Sequence, residues 1–375
     1  MISSLHISGF KLFRDLELPK LGILNLFVGE NNSGKTCLLE AVQLYASNSP
    51  WDIARIASLR EFEGDALPRV DRYDNSELSG SLQSILRLFH RKRGKMRLRI
   101  RLNAGYPEAE LRLACSPTLL DFLDDEGVSS EIDGLGFQSG RGPLRRLVEG
   151  GLLLSRGQEE PRPLFSDRSS SLRKEESEEV GWSHADSTPV AFLPARGITS
   201  LEEKRLWDRA SLADRDEFLL DWLRFVEPEI RDLRYISATD SSGDQPYLKI
   251  NSDRGRTPLS EMGDGLIRLF HIGLMMANAS GGILLIDEFE NGLHWRVQEE
   301  LWRALFQAAQ MFGVQVFATT HSTDCIRAFL EAQKDRLIPN ESYVYRLERR
   351  GDNIHAHEFS QLGLEAAMRQ GIEVR

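Results

Sequence analysis

The sequence predicts an α/β fold built around a central, mainly parallel sheet. Strand and helix patterns alternate at both ends of the chain, without an internal repeat or a sustained heptad pattern. Two predicted strands, Ile283–Ile286 and Val314–Thr319, are almost wholly apolar, which is typical of strands buried on both faces of a parallel sheet. Near the amino terminus, a glycine-rich loop stands between an apolar strand and a helix.

The first half of the chain contains two strand-rich regions separated by a helix and followed by a polar stretch. The predicted elements are short strands at 5–7 and 16–18, strand 23–28, helix 35–46, helix 80–92, and alternating strands 96–102 and 110–114. The last two strands predict an antiparallel subregion beside the main sheet. Ser, Glu, Arg and Pro predominate over 155–189, so we expect a solvated or disordered loop there.

The second half returns to alternating strands and helices. The predicted elements are strand 190–193, helical stretch 201–226, a strand pair around 234–250, helix 265–279, strand 283–286, helix 295–312, strand 314–319, helix 323–334, strands 343–347 and 354–359, and a last helix. We expect one domain over 1–375. Its core would be formed by 1–50 and 255–375, with 51–254 as an inserted β-rich and helical middle.

Composition excludes several classes of protein. With 375 residues and a net charge of −10, the whole molecule is not an electrostatic nucleic-acid binder. No apolar run reaches the roughly 18 residues of a membrane span, and the amino terminus does not resemble a secretory signal. Three scattered cysteines (Cys37, Cys115 and Cys325) cannot build a disulfide framework. We expect reduced thiols in a cytoplasmic protein.

The first chemical motif is the phosphate-loop pattern of residues 29–36, Gly-Glu-Asn-Asn-Ser-Gly-Lys-Thr. Glycines allow the backbone to approach phosphate oxygens, and the N–H groups at the helix start favour negative charge. We expect Lys35 to reach the β- and γ-phosphates of ATP and the Thr36 hydroxyl to coordinate Mg²⁺. The expected nucleotide-binding residues of this loop are Asn31, Asn32, Ser33, Gly34, Lys35 and Thr36.

Two further motifs follow predicted buried strands. Asp287 and Glu288 come directly after Ile283–Ile286, where one carboxylate would hold Mg²⁺ and the other would orient or deprotonate water. His321 follows Thr319-Thr320, and we expect it to sense the γ-phosphate. Taken alone, the acidic pair also fits a helix cap and the histidine a structural role. Their order after a phosphate loop favours a nucleotide site.

These motifs, with a long insertion between the first two, resemble an ABC-type ATPase of the RecF/SMC/OLD group. The opening residues 5–15, the run Glu288–His294 and the ending 371–375 are similar to compact OLD-like ATPases. The resemblance covers 1–50 and 255–375 well and the middle only in outline. It implies a P-loop NTPase of ABC type in which Asp287 supports the metal, Glu288 is the catalytic base and His321 is the switch residue.

The resemblance also implies a signature segment that contacts the γ-phosphate bound by a second subunit. If Arg268 aligns with the arginine that usually follows that signature, Met262 stands where a serine is expected. Ser260, or the amides of Gly263, Asp264 and Gly265, would then bind the nucleotide instead. The glutamine of a Q-loop has only a weak candidate in Gln83.

Full-length OLD proteins, which this chain resembles, append a Toprim nuclease. The chain after His321 is too short for such a unit, so we expect no intrinsic nuclease. The acidic cluster Asp121, Asp124, Asp125 and Glu126 is the alternative metal site, although it fits a solvated helix cap better.

A run of basic residues without an acid extends from Arg87 to Arg101. Arg97, Arg99 and Arg101 alternate with apolar residues, so they share one face of a strand. Such a stripe can follow the phosphates of DNA without reading its sequence. A solvated edge strand explains the same pattern.

From these observations, we expect an ATP-gated clamp in which two copies of the chain sandwich ATP. By resemblance, this clamp would control a separately encoded, nuclease-like effector in defence against phage. Two alternatives remain open: a RecF-like repair ATPase that loads proteins on DNA, and a scaffold that binds ATP without hydrolysing it.

Overall fold

The computed structural model describes residues 1–46, 56, 88–89, 97–103, 109–115, 152–156, 162–163, 188–236, 244–250, 255–334, 342–370 and 374. The strands in these ranges are β1 (Ser4–Phe10), β2 (Phe13–Leu18), β3 (Leu24–Val28), β4 (Arg97–Asn103), β5 (Ala109–Cys115), β6 (Leu152–Arg156), β7 (Arg162–Pro163), β8 (Val190–Leu193), β9 (Ile230–Ile236), β10 (Gln245–Ile250), β11 (Thr257–Pro258), β12 (Ile283–Ile286), β13 (Gln315–Thr320), β14 (Ser342–Arg350) and β15 (Asn353–Phe359). The helices are α1 (Lys35–Ala46), α2 (Ser200–Leu212), α3 (Asp216–Arg224), α4 (Asp264–Asn278), α5 (Trp295–Phe312), α6 (Thr323–Gln333) and α7 (Gln361–Arg369).

The central sheet has the strand order β15-β14-β3-β13-β12-β8. Neighbouring strands are parallel from β14 to β8, and β15 joins β14 as an antiparallel edge. Strands β3, β13 and β12 are adjacent and buried along their whole length. The three chemical motifs follow these strands, so they emerge at one edge of the sheet. The mixed sheet and its helices confirm the predicted α/β fold class.

Strand β8 belongs to the same sheet, although it lies in the predicted middle region. Its four residues pair in parallel with β12, from Val190 opposite Ile283 to Leu193 opposite Ile286. The Asp287 N–H donates to the Leu193 carbonyl at 2.9 Å, which extends this pairing past the end of β12. Strand β8 therefore supports the turn that carries the acidic residues.

Two hydrophobic clusters cover the two faces of the central sheet. Residues of β3, β12 and β13 alternate between them because successive side chains of a strand point to opposite faces. Leu26, Leu284 and Val316 contribute to the cluster that includes α4, α5 and α6. On the other face, beside α1, Phe27 stacks between Phe317 and Tyr345 with ring centroids 6.1 and 6.0 Å away.

The amino-terminal backbone is attached to the centre of this sheet through Gln315 on β13. The Gln315 side chain is 1% exposed. Its Oε1 accepts from the Ile2 N–H at 2.7 Å, and its Nε2 donates to the carbonyls of Ile2 and Gly22 at 2.7 and 2.8 Å. These bonds satisfy a buried amide and fix the chain that enters β3.

The second sheet is antiparallel and has the order β2-β1-β4-β5-β6-β7. Strands β4 and β5 match the predicted alternating pair closely. Phe89, at the end of the helix predicted over 80–92, forms a β-bridge with Phe10, and residues 80–87 and 90–92 lie outside the described residues. In the loop predicted over 155–189, residues 155–156 and 162–163 lie in strands β6 and β7, and most of the rest lies outside the description.

The helical stretch predicted over 201–226 is two helices, α2 and α3. A capping box at Thr199 and Glu202 starts α2. The break between the helices includes Asp214, whose φ of 54° is left-handed and ends regular helix geometry. The third sheet, of order β11-β10-β9, follows these helices. No helix within the described ranges is both long and apolar enough to cross a membrane.

Candidate functional site

The phosphate-loop motif forms a tight turn between β3 and α1. Gly34 has a φ of 93°, and a Cβ there would lie 3.0 Å from the Phe13 ring. At Gly29, a Cβ would lie 2.5 Å from the Leu347 carbonyl oxygen and 2.7 Å from Ser33 Oγ. A side chain at Gly29 would collide with the backbone, and one at Gly34 would be strained by the left-handed φ and crowded by Phe13, so both glycines suit the path of this loop.

Lys35 is buried against the backbone of its own loop. Its Nζ donates to the carbonyl oxygens of Gly29 and Glu30 at 2.7 and 2.8 Å. Burial lowers the pKa of the ammonium group, and the negative charges of Asp287, Glu288 and Glu290 oppose that effect. The Lys35 charge is therefore held inside the loop, beside three carboxylates.

Thr36 and Asp287 meet where α1 begins and β12 ends. Thr36 Oγ1 lies 2.9 Å from Asp287 Oδ2 and 3.2 Å from Oδ1, close enough to donate a hydrogen bond. These two residues are far apart in sequence, and the sheet order brings them together. A hydroxyl beside a carboxylate is the oxygen-rich pair that Mg²⁺ prefers.

Glu288 occupies a left-handed turn immediately after Asp287. Its φ is 50°, a conformation that a residue other than glycine rarely adopts. Its N–H donates to Thr319 Oγ1 at 2.9 Å, and its carbonyl accepts from Arg268 Nη2 at 3.0 Å. The Glu288 side chain is 39% exposed. Hydrogen bonds on both sides of the residue thus hold its backbone while the carboxylate remains accessible.

His321 lies beside this turn, at the end of β13. Its N–H donates to Glu290 Oε1 at 3.0 Å, and its Nδ1 is 3.3 Å from the same oxygen. The distance from His321 Nδ1 to Glu288 Oε1 is 3.9 Å. The structure therefore brings the predicted switch histidine next to the predicted base. The largely buried Glu290 side chain contacts the histidine.

Arg268 connects α4 to the same turn. Its Nη1 donates to the Pro194 carbonyl at 2.8 Å, and its Nη2 donates to the Asp287 carbonyl at 2.6 Å. Burial lowers the pKa of this guanidinium to about 10, so it stays protonated at neutral pH. The sequence marked Arg268 only by its place after the signature segment, and gave no sign of these contacts.

The predicted signature segment lies around the start of α4. Ser260, in a short 3₁₀ turn, is exposed and donates to Gln245 Oε1 at 3.3 Å. Met262 is partly buried and packs against the larger hydrophobic cluster. Gly263 has a φ of 90° and precedes Asp264 and Gly265, the first residues of α4. A Cβ on Gly265 would lie 3.0 Å from the Gly292 carbonyl, so this segment is close to the turn after β12.

Some of the remaining predicted site residues are exposed, and the others lie outside the described residues. Asn31 and Asn32 are exposed on the phosphate loop, and Asn32 has a left-handed φ of 62°. Arg99 and Arg101 are exposed on β4, opposite Arg112 and Glu110 of β5. The Arg97 side chain, Gln83 and the acidic cluster Asp121, Asp124, Asp125 and Glu126 lie outside the described residues.

Thr319 and Glu290 also belong to the site, although sequence reasoning assigned neither of them a contact there. Thr319 Oγ1 donates to Asp287 Oδ1 at 2.7 Å, and Glu290 is next to His321. The available signals were a threonine near the end of a largely apolar strand and a third acid after Asp287-Glu288. Neither signal indicates a partner until the strand order is known.

The arrangement fits a nucleotide triphosphate with Mg²⁺. The loop places its backbone where side chains at Gly29 and Gly34 would be crowded, and Ser33 Oγ is buried there with no hydrogen-bond partner among the described residues. Thr36 and Asp287 supply hard oxygen donors, and Lys35 supplies a buried positive charge. Lys35 and the loop amides would hold the phosphates, and Thr36 and Asp287 would hold the cation.

Comparison with known proteins gives both a family model and individual relatives. The family model described as "AAA domain, putative AbiEii toxin, Type IV TA system" matches residues 24–324. An ATP/GTP phosphatase of Helicobacter pylori is 27% identical over 111 residues, 29% of this chain and 30% of that protein. An uncharacterized protein of Methanocaldococcus jannaschii is 39% identical over 61 residues, 16% of this chain and 28% of that protein. The matched region thus spans less than a third of the length of either relative.

Solved structures of SMC head domains have a similar fold. An SMC head bound to the C-winged helix domain of ScpA has a TM-score of 0.50 and 13% identity, with 98% of this chain and 99% of that chain covered. An SMC head with an extended coiled coil, bound to the C-terminal domain of ScpA derived from Pyrococcus furiosus, has a TM-score of 0.50 and 12% identity, with 98% of each chain covered. At these identities the similarity concerns the fold alone.

Proposed function

Because the chain belongs to the AAA-domain family whose model matches residues 24–324, we propose that it binds and hydrolyses ATP with Mg²⁺. The contact between Thr36 Oγ1 and Asp287 is the observation that carries this proposal. It joins the phosphate loop to the turn that follows β12 (residues 287–292, the acidic turn). Glu288 and His321 lie on the same edge of the sheet.

In the proposed reaction, Glu288 accepts a proton from a water molecule. The water oxygen forms a bond to the γ-phosphorus while the bond to the β–γ bridging oxygen breaks, and ADP and phosphate are the products. Lys35 binds the phosphate charge, and Thr36 and Asp287 hold the cation. His321 contacts the γ-phosphate and reports whether it is present.

We further propose that two copies of the chain form an ATP-gated clamp. Each copy would contribute Ser260 or the amides of Gly263, Asp264 and Gly265 to the nucleotide on the other copy. The close approach of Gly265 to the Gly292 carbonyl supports this proposal. Because the signature segment and the acidic turn are neighbours, both would contact the partner copy at the same interface. ATP binding would close the dimer, and hydrolysis would release it.

The clamp is proposed to control a separately encoded, nuclease-like effector in defence against phage. Sequence resemblance to compact OLD-like ATPases supports this role. The chain itself is proposed to be a single ATPase domain. Its proposed core consists of 1–50 and 255–375, together with β8 from the middle region, which belongs to the same sheet. Co-purification with the product of a neighbouring reading frame, with and without ATP, tests the effector directly. A partner whose binding does not respond to ATP would contradict the clamp.

Two observations favour other functions. The exposed Arg99 and Arg101 on β4 favour a RecF-like ATPase that loads proteins on DNA. Met262 is partly buried and packs against the larger hydrophobic cluster at the position where the resemblance implies a serine, which favours a scaffold that binds ATP without hydrolysing it. Stimulation of turnover by DNA ends would support the repair ATPase, and turnover by the purified chain alone would exclude the scaffold.

The central test is phosphate release by the purified protein with Mg²⁺ or with EDTA, beside calorimetry of ATP binding. We expect release that requires Mg²⁺, and tight ATP binding. Binding without release would support the scaffold. Absence of both would overturn the proposed function.

A further inference from the structure

Thr319, on β13, contacts three consecutive residues of the acidic turn. Its hydroxyl donates to Asp287 Oδ1 at 2.7 Å and accepts from the Glu288 N–H at 2.9 Å. Its carbonyl accepts from the Phe289 N–H at 2.9 Å. The side chain is 0% exposed, so solvent cannot replace these bonds.

The Asp287 carboxylate is held from two sides by hydroxyl groups. Thr36 Oγ1 is nearest to Oδ2, at 2.9 Å, and Thr319 Oγ1 contacts Oδ1. A hydroxyl has one proton to donate, and Thr319 gives its proton to the carboxylate. Its lone pairs are then available to the Glu288 N–H, which explains how one atom serves both residues.

The second hydrogen bond of the Thr319 hydroxyl, from the Glu288 N–H, is made with the residue of the turn whose backbone is strained. Glu288 has a φ of 50°, which costs free energy unless surrounding contacts impose it. Thr319 fixes the N–H side of Glu288, and Arg268 fixes its carbonyl side. Loss of the hydroxyl would leave a buried N–H unpaired and free the turn to relax.

We propose that Thr319 is a positioning residue for ATP hydrolysis, which sets the Asp287 carboxylate for the cation and the Glu288 carboxylate for water through one hydroxyl. This inference rests on the proposed ATPase function. It predicts that the metal requirement and the rate of the chemical step depend together on a group that touches neither ATP nor Mg²⁺.

The neighbouring Thr320 offers a matched control. It is also 0% exposed, but its hydroxyl accepts from the Ser322 N–H at 3.0 Å and is hydrogen-bonded to the Cys325 thiol. Thr319→Val and Thr320→Val each remove one buried hydroxyl from the same strand with little change in shape. Thr319→Ser keeps the hydroxyl and serves as the rescue variant.

The experiment measures kcat, KM for ATP, the Mg²⁺ concentration for half-maximal rate, and the melting temperature. We expect Thr319→Val to lower kcat and raise the Mg²⁺ requirement, each by about 10- to 100-fold, the usual scale for a residue that orients a metal ligand. Thr319→Ser is expected to stay within about threefold of wild type. Thr320→Val is expected to leave kcat and the Mg²⁺ requirement unchanged, even if it melts earlier.

If Thr319→Val melts earlier but keeps the wild-type kcat and Mg²⁺ requirement, the positioning role is overturned. Thr319→Ala replaces the valine variant if that protein does not fold. Calorimetry of ATP binding across a Mg²⁺ series separates this proposal from the proposed function. If the wild-type protein binds MgATP but does not hydrolyse it, the proposed hydrolysis is wrong. A higher Mg²⁺ concentration needed for ATP binding by Thr319→Val would still support the positioning of Asp287. An unchanged requirement overturns it.

Discussion

Arg268 donates from Nη2 to the backbone carbonyl of Glu288 at 3.0 Å, and so attaches helix α4 to the turn that carries the proposed base. The same nitrogen reaches the Asp287 carbonyl at 2.6 Å. Helix α4 begins in the predicted signature segment. A movement of that segment would therefore reach the acidic turn through the Arg268 side chain, as well as through the close approach of Gly265 to Gly292.

We expect Arg268→Lys to lower kcat by about 10-fold or more while ATP affinity changes little. A lysine ammonium cannot span the Pro194, Asp287 and Glu288 carbonyls as the planar guanidinium does. Loss of the charge-assisted hydrogen bonds from the guanidinium should also cost about 1–3 kcal/mol of stability. Steady-state kinetics and thermal unfolding measure both, with Arg205→Lys on the exposed face of α2 as control. Equal rates in the two variants would remove Arg268 from the mechanism.

Glu288→Gln should retain ATP and Mg²⁺ binding and slow hydrolysis by about two to four orders of magnitude, the usual scale for a lost general base. Unhydrolysed ATP should then hold two copies together, so the variant is expected to be larger than wild type when ATP is present. Phosphate release and light scattering measure these effects.

The control for this variant is Asp287→Asn, which should weaken Mg²⁺-dependent binding and give no trapped dimer. A Glu288→Gln protein that hydrolyses ATP at the wild-type rate would remove Glu288 from the role of base. Glu290, at 3.3 Å from His321, would then be the next residue to test.

Lys35→Ala is expected to abolish ATP binding. The buried ammonium group is the positive charge at the centre of the phosphate loop, and alanine removes both that charge and its hydrogen bonds to the Gly29 and Glu30 carbonyls. Calorimetry with ATP is the measurement, and Lys20→Ala, at an exposed position before β3, is the control. Unchanged affinity in Lys35→Ala would refute the assignment of the loop.

Changing Arg97, Arg99 and Arg101 together to Glu should remove DNA binding at low salt and leave basal hydrolysis unchanged. Phosphate contacts depend on charge, so reversing the stripe should have a larger effect than salt alone. Arg205, Arg209 and Arg231, which are exposed on α2 and β9, provide a control triple with the same change in net charge. If filter binding is the same for both triples, the arginines of β4 are a solvated face.

The sequence was sufficient for the parts of the site that local patterns determine. The phosphate loop has a fixed spacing, and the strands that end at Ile286 and Thr320 are short apolar runs with polar residues directly after them. Because parallel strands present their carboxyl ends at one edge, the meeting of Thr36 with Asp287 followed from the predicted fold class.

Contacts between distant segments could not be predicted in this way. Arg268 appears in the sequence as one of several polar residues in a largely apolar helix, and Thr319 as one of two threonines in a buried strand. Their partners depend on strand order and on the register of β13 against β12, which periodicity does not determine. The separation of α2 from α3 at Asp214 depends on a single left-handed residue.

The pairing of β3 has a consequence for how the chain folds during synthesis. Both hydrogen-bonded neighbours of β3, β13 and β14, come from the last third of the chain, and Gln315 also holds the backbone of Ile2. At about 5–20 residues per second, the ribosome needs roughly a quarter of a minute to one minute to make the residues between β3 and β13. Throughout that time the apolar strand before the phosphate loop is an unpaired edge, exposed to aggregation. Nascent chains are therefore expected to require a chaperone, and fragments that end before β13 to lack a formed phosphate loop.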